Sequence, residues 1–206
     1  MALIILVLGG IWGGLFTPTE AGAVGAAGGF ILVVVKKKFN LRNLWQILLE
    51  GGQTTASIFM LLICAQMYSR MLTISGLAAK ISQWATTLPV APIFIILGFI
   101  LVFLVLGCII DSVSIILLTI PIMHPVILKL GYDPIWFTIV AIIAIEIGLL
   151  TPPFGMVVFA MKSSLGGKTT IEEIFQGAFP FLIMLGISLA IIMAFPILST
   201  WLPSLM

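Results

Sequence analysis

The sequence predicts an all-α, polytopic membrane protein in which one helical hairpin turns among apolar residues and one transmembrane helix is broken. Three observations carry this. Apolar residues make up 62% of the 206-residue chain and charged residues only 8%, against about 25% charged in an ordinary soluble domain. A mean hydropathy of +1.34 leaves too little polar surface to cover a soluble core. The uncharged runs are separated by single polar residues or proline pairs rather than by loops. Nine Lys and Arg against seven Asp and Glu give a net charge of +2, no footprint for nucleic acid. Cys64 and Cys108 sit inside apolar runs without zinc spacing or a disulfide framework, and read as packing residues. Residues 1–16 lack a basic leading region, so no cleaved signal peptide is expected.

In chain order, Phe16-Thr17-Pro18-Thr19-Glu20 breaks two short Gly-rich helices, with Thr17 or Thr19 placed to cap the second. Lys36, Lys37, Lys38 and Arg42 close that helix. Residues 40–50 read as an amphipathic connection at the surface, with Leu41, Leu44, Trp45 and Leu48 on one side. Residues 51–72 are long enough to cross, and Arg70 can snorkel at the end. The mixed polarity of 75–88 suits a second surface helix.

From Pro89 to Leu130 two apolar runs flank Asp111-Ser112-Val113-Ser114. Either one helix continues past Asp111 or a hairpin turns there, and the basic residues arbitrate. A turn places Lys36, Lys37, Lys38, Arg42, Lys162 and Lys168 on one face against Arg70, Lys80 and Lys129, six to three; continuation gives five to four. The turn obeys the positive-inside rule better and makes the six-residue side cytoplasmic. Residues 135–150 then form a helix holding Glu146, and Thr151-Pro152-Pro153-Phe154-Gly155 ends it, because Pro152 and Pro153 remove two amide donors. Apolar residues resume at once, which sets the break at membrane depth, buried in protein or lining a watery cavity. Residues 162–176 read as a polar connection and 179–202 as the last span.

Two interruptions at depth expose carbonyls and hydroxyls, the means by which half-helices bind ions and anions. Asp111, Ser112, Ser114 and Thr151, with main-chain oxygens at Pro152 and Gly155, are the candidate monovalent-cation ligands, on the expectation that the two breaks meet. Glu146, an intramembrane carboxylate, and Pro153 are assigned to the substrate site or to coupling. Bland readings stand beside these: a plain kink at Pro152 and Pro153, a headgroup-level turn at Asp111, a structural partner for Glu146, and a capping arrangement for Thr17, Pro18, Thr19 and Glu20. His124 reads as a packing or interface residue. An intramembrane enzyme built on Asp111 and Glu146 lacks a paired motif or a Ser-His arrangement, so no catalytic residue is assigned.

The strings Gly9-Gly10-Ile11-Trp12-Gly13-Gly14-Leu15-Phe16-Thr17-Pro18-Thr19-Glu20-Ala21, Gly131-Tyr132-Asp133-Pro134 and Gly148-Leu149-Leu150-Thr151-Pro152-Pro153-Phe154-Gly155, with Asp111, Pro121 and Pro125 between them, resemble the large membrane subunit of tripartite ATP-independent periplasmic (TRAP) transporters. The resemblance implies an elevator-type fold of two inverted repeats in a chain about twice this long, of which this is the C-terminal half. It implies sodium-coupled import of an organic acid such as a C4-dicarboxylate across the bacterial inner membrane, with sodium as the coupling ion and no other cofactor. The implied partners are a small membrane subunit, a periplasmic solute-binding protein and the missing N-terminal half. It also divides the chain into scaffold helices with surface arms (1–89), a transport region (90–175; hairpin about 90–130, broken helix about 134–165) and a last transmembrane helix (176–206). The alternative is an accessory or scaffold subunit with no transport of its own.

Overall fold

The computed structural model describes residues 2–37, 40–164 and 169–205. Lys38 and Lys168, two of the six cations assigned to the cytoplasmic face, lie outside the described residues. Among the described residues the chain is helical, with no strand: α1 Ala2–Trp12, α2 Pro18–Val35, α3 Leu41–Ile74, α4 Leu77–Thr87, α5 Pro92–Gly107, α6 Ser112–Lys129, α7 Pro134–Leu150, α8 Met156–Ser164, α9 Ile171–Ala194 and α10 Ile197–Thr200. Of these, α3, α6 and α9 are long and apolar enough to cross a membrane. The chain packs as two compact units, Met1–Met60 with Ser204–Met206, and Leu61–Pro203.

In the first unit α1 packs on α2, where Gly28 leaves the space that the Leu3 side chain occupies. In the second, α7 is the central element. Trp136, Phe137, Val140, Ala141, Ala144, Ile145 and Leu149 are buried along it, against Ile96, Ile100 and Phe103 of α5 and Ile115, Met123 and Ile127 of α6. Phe137 meets Phe99 edge-on with ring centres 6.0 Å apart. The Trp136 indole stacks on Tyr132 and donates to the Ile192 carbonyl at 2.8 Å, tying α7 to α9. Ser82 of α4 is fully buried and donates to the Pro125 carbonyl of α6.

Two boundaries differ from those the sequence suggests. Residues 40–50 are not a separate surface piece, because α3 runs unbroken for 34 residues through Gly51 and Gly52. Two glycines weaken a helix by about 1 kcal/mol each but do not stop it without a cap or a proline. At about 51 Å along its axis it exceeds the ~30 Å hydrocarbon core by roughly 20 Å, close to four turns and somewhat more than the ~15 Å of its amphipathic first ten residues. The last span likewise starts earlier, at Ile171, because the Thr170 side chain and Glu173 form a capping box there. It stops at Ala194, since Pro196 pushes Phe195 out of the helical region. Pro180 is carried inside it.

Candidate functional site

The chain turns at 108–111, between α5 and α6, rather than running on as one helix. Asp111 takes extended backbone angles, φ −68° and ψ 155°, and caps α6. One carboxylate oxygen accepts the Ser114 amide at 3.0 Å and the other accepts the Ser114 hydroxyl at 2.6 Å. The carboxylate therefore serves the first turn of α6, and the lone pairs it has left are what a cation could use. Ser112 is half-buried, and its hydroxyl has no hydrogen bond among the described residues. It is the least committed of the three side chains at the turn.

The helix that begins at Pro134 ends at Leu150. Pro152 and Pro153 have no amide proton to give the preceding turn, and Thr151 leaves the helix at φ −86° and ψ 137°. The Thr151 amide closes back on the Gly148 carbonyl at 3.0 Å, and its hydroxyl donates to the Ile147 carbonyl at 2.6 Å. The carbonyls of Leu149, Leu150, Thr151 and Pro152 accept no backbone hydrogen bond among the described residues. The peptide between Pro152 and Pro153 is cis. Gly155, at φ +51°, lets the chain re-enter helix, and its carbonyl accepts the Val158 and Phe159 amides. Thus the Gly155 oxygen is committed to α8, while free carbonyls lie just upstream of it.

What seats the turn beside the break is a contact between two glycines. A Cβ at Gly107 would lie 2.7 Å from the Ile145 carbonyl oxygen and 2.9 Å from the Gly148 Cα. A Cβ at Gly148 would lie 2.6 Å from the Leu104 oxygen and 2.8 Å from the Gly107 Cα. The backbones of α5 and α7 touch here, the close approach that small residues permit between membrane helices. Gly107 is the last residue of α5, four before Asp111, and Gly148 lies three before Thr151. The α5 end of the turn is therefore packed at the start of the break. No hydrogen bond links Asp111, Ser112 or Ser114 to residues 151–155 among the described residues. Glu146 is half-buried on α7 and has no hydrogen bond among the described residues.

At the first interruption Thr17 caps α2. Its amide donates to the Glu20 carboxylate at 2.8 Å and its hydroxyl accepts the Glu20 amide at 3.3 Å, while Pro18 opens the helix. Thr17, Thr19 and Glu20 are exposed, and the geometry is that of a capping box. Two further features of the sequence bear on these sites. Gly107, beside Cys108, marks a close approach at the end of α5. Gly14-Leu15-Phe16-Thr17-Pro18 and Gly148-Leu149-Leu150-Thr151-Pro152 share the pattern Gly-Leu-x-Thr-Pro at two helix interruptions. The pattern is used in opposite senses: Thr17 starts a helix and Thr151 ends one.

Apolar helices interrupted at a Thr-Pro, with the helix that leads into a polar turn packed on one of them through two glycines, define the class: an all-α, polytopic membrane protein of the kind from which secondary transporters are built. Within that class, residues 1–198 match the family model of the tripartite ATP-independent periplasmic transporter, DctM component, and the chain belongs to that family of large permeases. It is 33% identical over 205 residues to the C4-dicarboxylate TRAP transporter large permease protein DctM of Pseudomonas aeruginosa, covering 99% of this chain and 48% of that protein. It is 32% identical over 202 residues to the sialic acid TRAP transporter large permease protein SiaM of Vibrio cholerae, covering 98% and 47%. It is 31% identical over 182 residues to the 2,3-diketo-L-gulonate TRAP transporter large permease protein YiaN of Escherichia coli, covering 88% and 42%. The chain thus spans about half the length of these relatives, which are permeases and not enzymes.

Proposed function

We propose that this chain supplies the C-terminal half of a TRAP-type permease that imports an organic acid, such as a C4-dicarboxylate, driven by a sodium gradient across the bacterial inner membrane. The observation that supports it best is the Gly107–Gly148 contact, which packs the end of α5, four residues before Asp111, on α7 three residues before Thr151. In this reading the turn at 108–111 is the tip of a re-entrant hairpin. Sodium takes hard oxygen ligands from Ser112, Thr151 and the carbonyls near Pro152, with Asp111 and Ser114 fixing the tip. Glu146 and Pro153 border the substrate or couple it to the ion. The small membrane subunit supports the permease and a periplasmic binding protein delivers and selects the substrate, in keeping with relatives named for different acids. An accessory or scaffold role without transport is the second reading, favoured by the absence, among the described residues, of any hydrogen bond between Asp111, Ser112 or Ser114 and residues 151–155.

The test is uptake into proteoliposomes holding this chain, its first half and the small subunit, with a binding protein loaded with labelled acid. An inward sodium gradient should raise initial uptake about tenfold or more, and Ser112→Ala with Thr151→Ala should remove most of that gain, tenfold being worth about 1.4 kcal/mol in an equilibrium. Uptake indifferent to sodium would sink the coupling, and full sodium dependence in the double variant would sink the ligand assignment.

A further inference from the structure

Between the end of α7 and the first turn of α8, backbone hydrogen bonds do little to give the chain its shape. The amides of Phe154, Gly155, Met156 and Val157 donate to no backbone carbonyl among the described residues, and Pro152 and Pro153 have no amide proton. Packing therefore holds this stretch. Pro152, Pro153 and Phe154 are exposed, and of residues 151–155 Gly155 alone is buried. One aromatic ring covers it. A Cβ at Gly155 would lie 3.0 Å from Cε1 and 3.1 Å from Cζ of Phe175, and 3.5 Å from the Leu149 carbonyl oxygen. The far end of the ring thus rests on the Gly155 backbone, on the side where the last turn of α7 presents a carbonyl without a backbone donor. The start of α9 sets the ring in place. The Thr170–Glu173 capping box opens the helix, Ile174 is buried and lines an apolar cavity with Leu150 and Val158, and Phe175 comes next. Glycine at 155 meets two demands at once, a φ of +51° and room for the ring.

We propose that Phe175 is a positioning residue for cation binding at the break, an inference that rests on the reading of the break as a sodium site. The ring acts through the loop and not on the ion. Seated on Gly155, it fixes the downstream end of the break, while Pro152 and Pro153, whose rings fix φ, carry that restraint back to the carbonyls of residues 149–152. Neutral carbonyls repay the lost hydration of a cation only when they are held at the spacing it needs, and a site whose support is loose by about 1 Å binds poorly. An aromatic side chain suits the task, being large and having only two side-chain torsions to immobilise. On this account the affinity for the ion depends on a residue of α9, some twenty positions beyond the groups that would hold it.

Initial uptake would be measured against sodium concentration in proteoliposomes holding this chain, its first half and the small subunit, with the acid-loaded binding protein saturating. Phe175→Ala should raise the KM for sodium about tenfold while leaving kcat at saturating sodium within about twofold of the parent. Phe175→Met, whose side chain is long enough to reach Gly155, should bring that KM back to within about threefold. A merely structural role would lower the amount of active permease, and so kcat, at an unchanged KM. Should Phe175→Ala fail to fold, as judged by helical circular dichroism, Phe175→Leu decides the matter: it keeps apolar volume but stops short of Gly155, and should raise the KM about threefold. Sodium-dependent uptake with an unchanged sodium KM in the deciding variant, or a fall in kcat alone, would overturn this inference and leave the sodium site standing. Parent uptake indifferent to sodium would overturn both.

Discussion

Asp111 illustrates how one residue can satisfy two readings that only a paired substitution separates. Its carboxylate caps α6 through the Ser114 amide and hydroxyl, so Asp111→Ala should destabilise the helix start by about 1 kcal/mol whether or not an ion is ever bound there. Asn retains the cap but removes the charge. Thermal unfolding in detergent should therefore rank Asn level with the parent and Ala below it, and sodium-driven uptake should fall with both if the charge serves the ion. Uptake unchanged in Asp111→Asn would leave the residue a cap alone. Gly148 makes a starker case. With a carbonyl oxygen 2.6 Å from where its Cβ would stand, neither backbone can yield without parting α5 from α7. Gly148→Ala should cost about 1–3 kcal/mol, and Gly148→Leu should fail to assemble this unit. A chain carrying Gly148→Ala that melts with the parent would show that the two helices are free to separate. The sequence made the carboxylate and the prolines conspicuous because they are costly in lipid. It hid Gly107 because a glycine's role depends on what lies opposite, and that is a tertiary fact.

At the scale of elements, the sequence was legible where chemistry forces a boundary. The prolines at 152 and 153, the Asp111 cap, and Pro134 after Asp133 each remove or redirect a specific hydrogen bond, and the structure turns or breaks at each. It was less legible where polarity changes within a continuous helix. The amphipathic stretch before Gly51 reads as a connection yet is the first part of a longer helix, and of the polar stretch 162–176 the last six residues, 171–176, already belong to α9. Polarity reports the solvent around a segment, whereas a helix ends only where its hydrogen bonds do. Continuity of α3 carries a length that can be measured. Spin labels at Asn43 and Ser57 are 14 residues apart within the one helix and should be separated by about 21 Å. A pulsed dipolar distance well under that would mean a bend near Gly51 and return the first ten residues to a separate surface arm.

For the whole molecule, the central question is how much of a working site lies in a chain that spans about half the length of its relatives. Helix α7 buries its inward face thoroughly, so the unit built on it has a core of its own. Much of the apolar surface elsewhere remains exposed, including Phe59, Met60 and Ile63 of α3 and Leu101 and Val105 of α5. Lipid can cover such surface, and so can protein. What lipid cannot cover is the row of carbonyls without backbone donors at residues 149–152, since unsatisfied backbone is too costly in hydrocarbon. Those groups require water, an ion or facing protein. If relatives about twice as long close this region with their other half, this chain alone should insert in liposomes yet show no sodium-driven uptake, and supplying the first half as a separate polypeptide should restore it. Hydrogen exchange offers a readout that does not depend on transport: the Phe154 amide, which has no backbone acceptor among the described residues, should exchange quickly in the chain alone and at least about tenfold more slowly once the halves combine, a change of roughly 1.4 kcal/mol in local opening. Sodium-driven uptake by the chain alone would mean that the turn at 108–111 and the break at 151–155 already form a complete site. Exchange unaltered by the added first half would mean that it covers some other face.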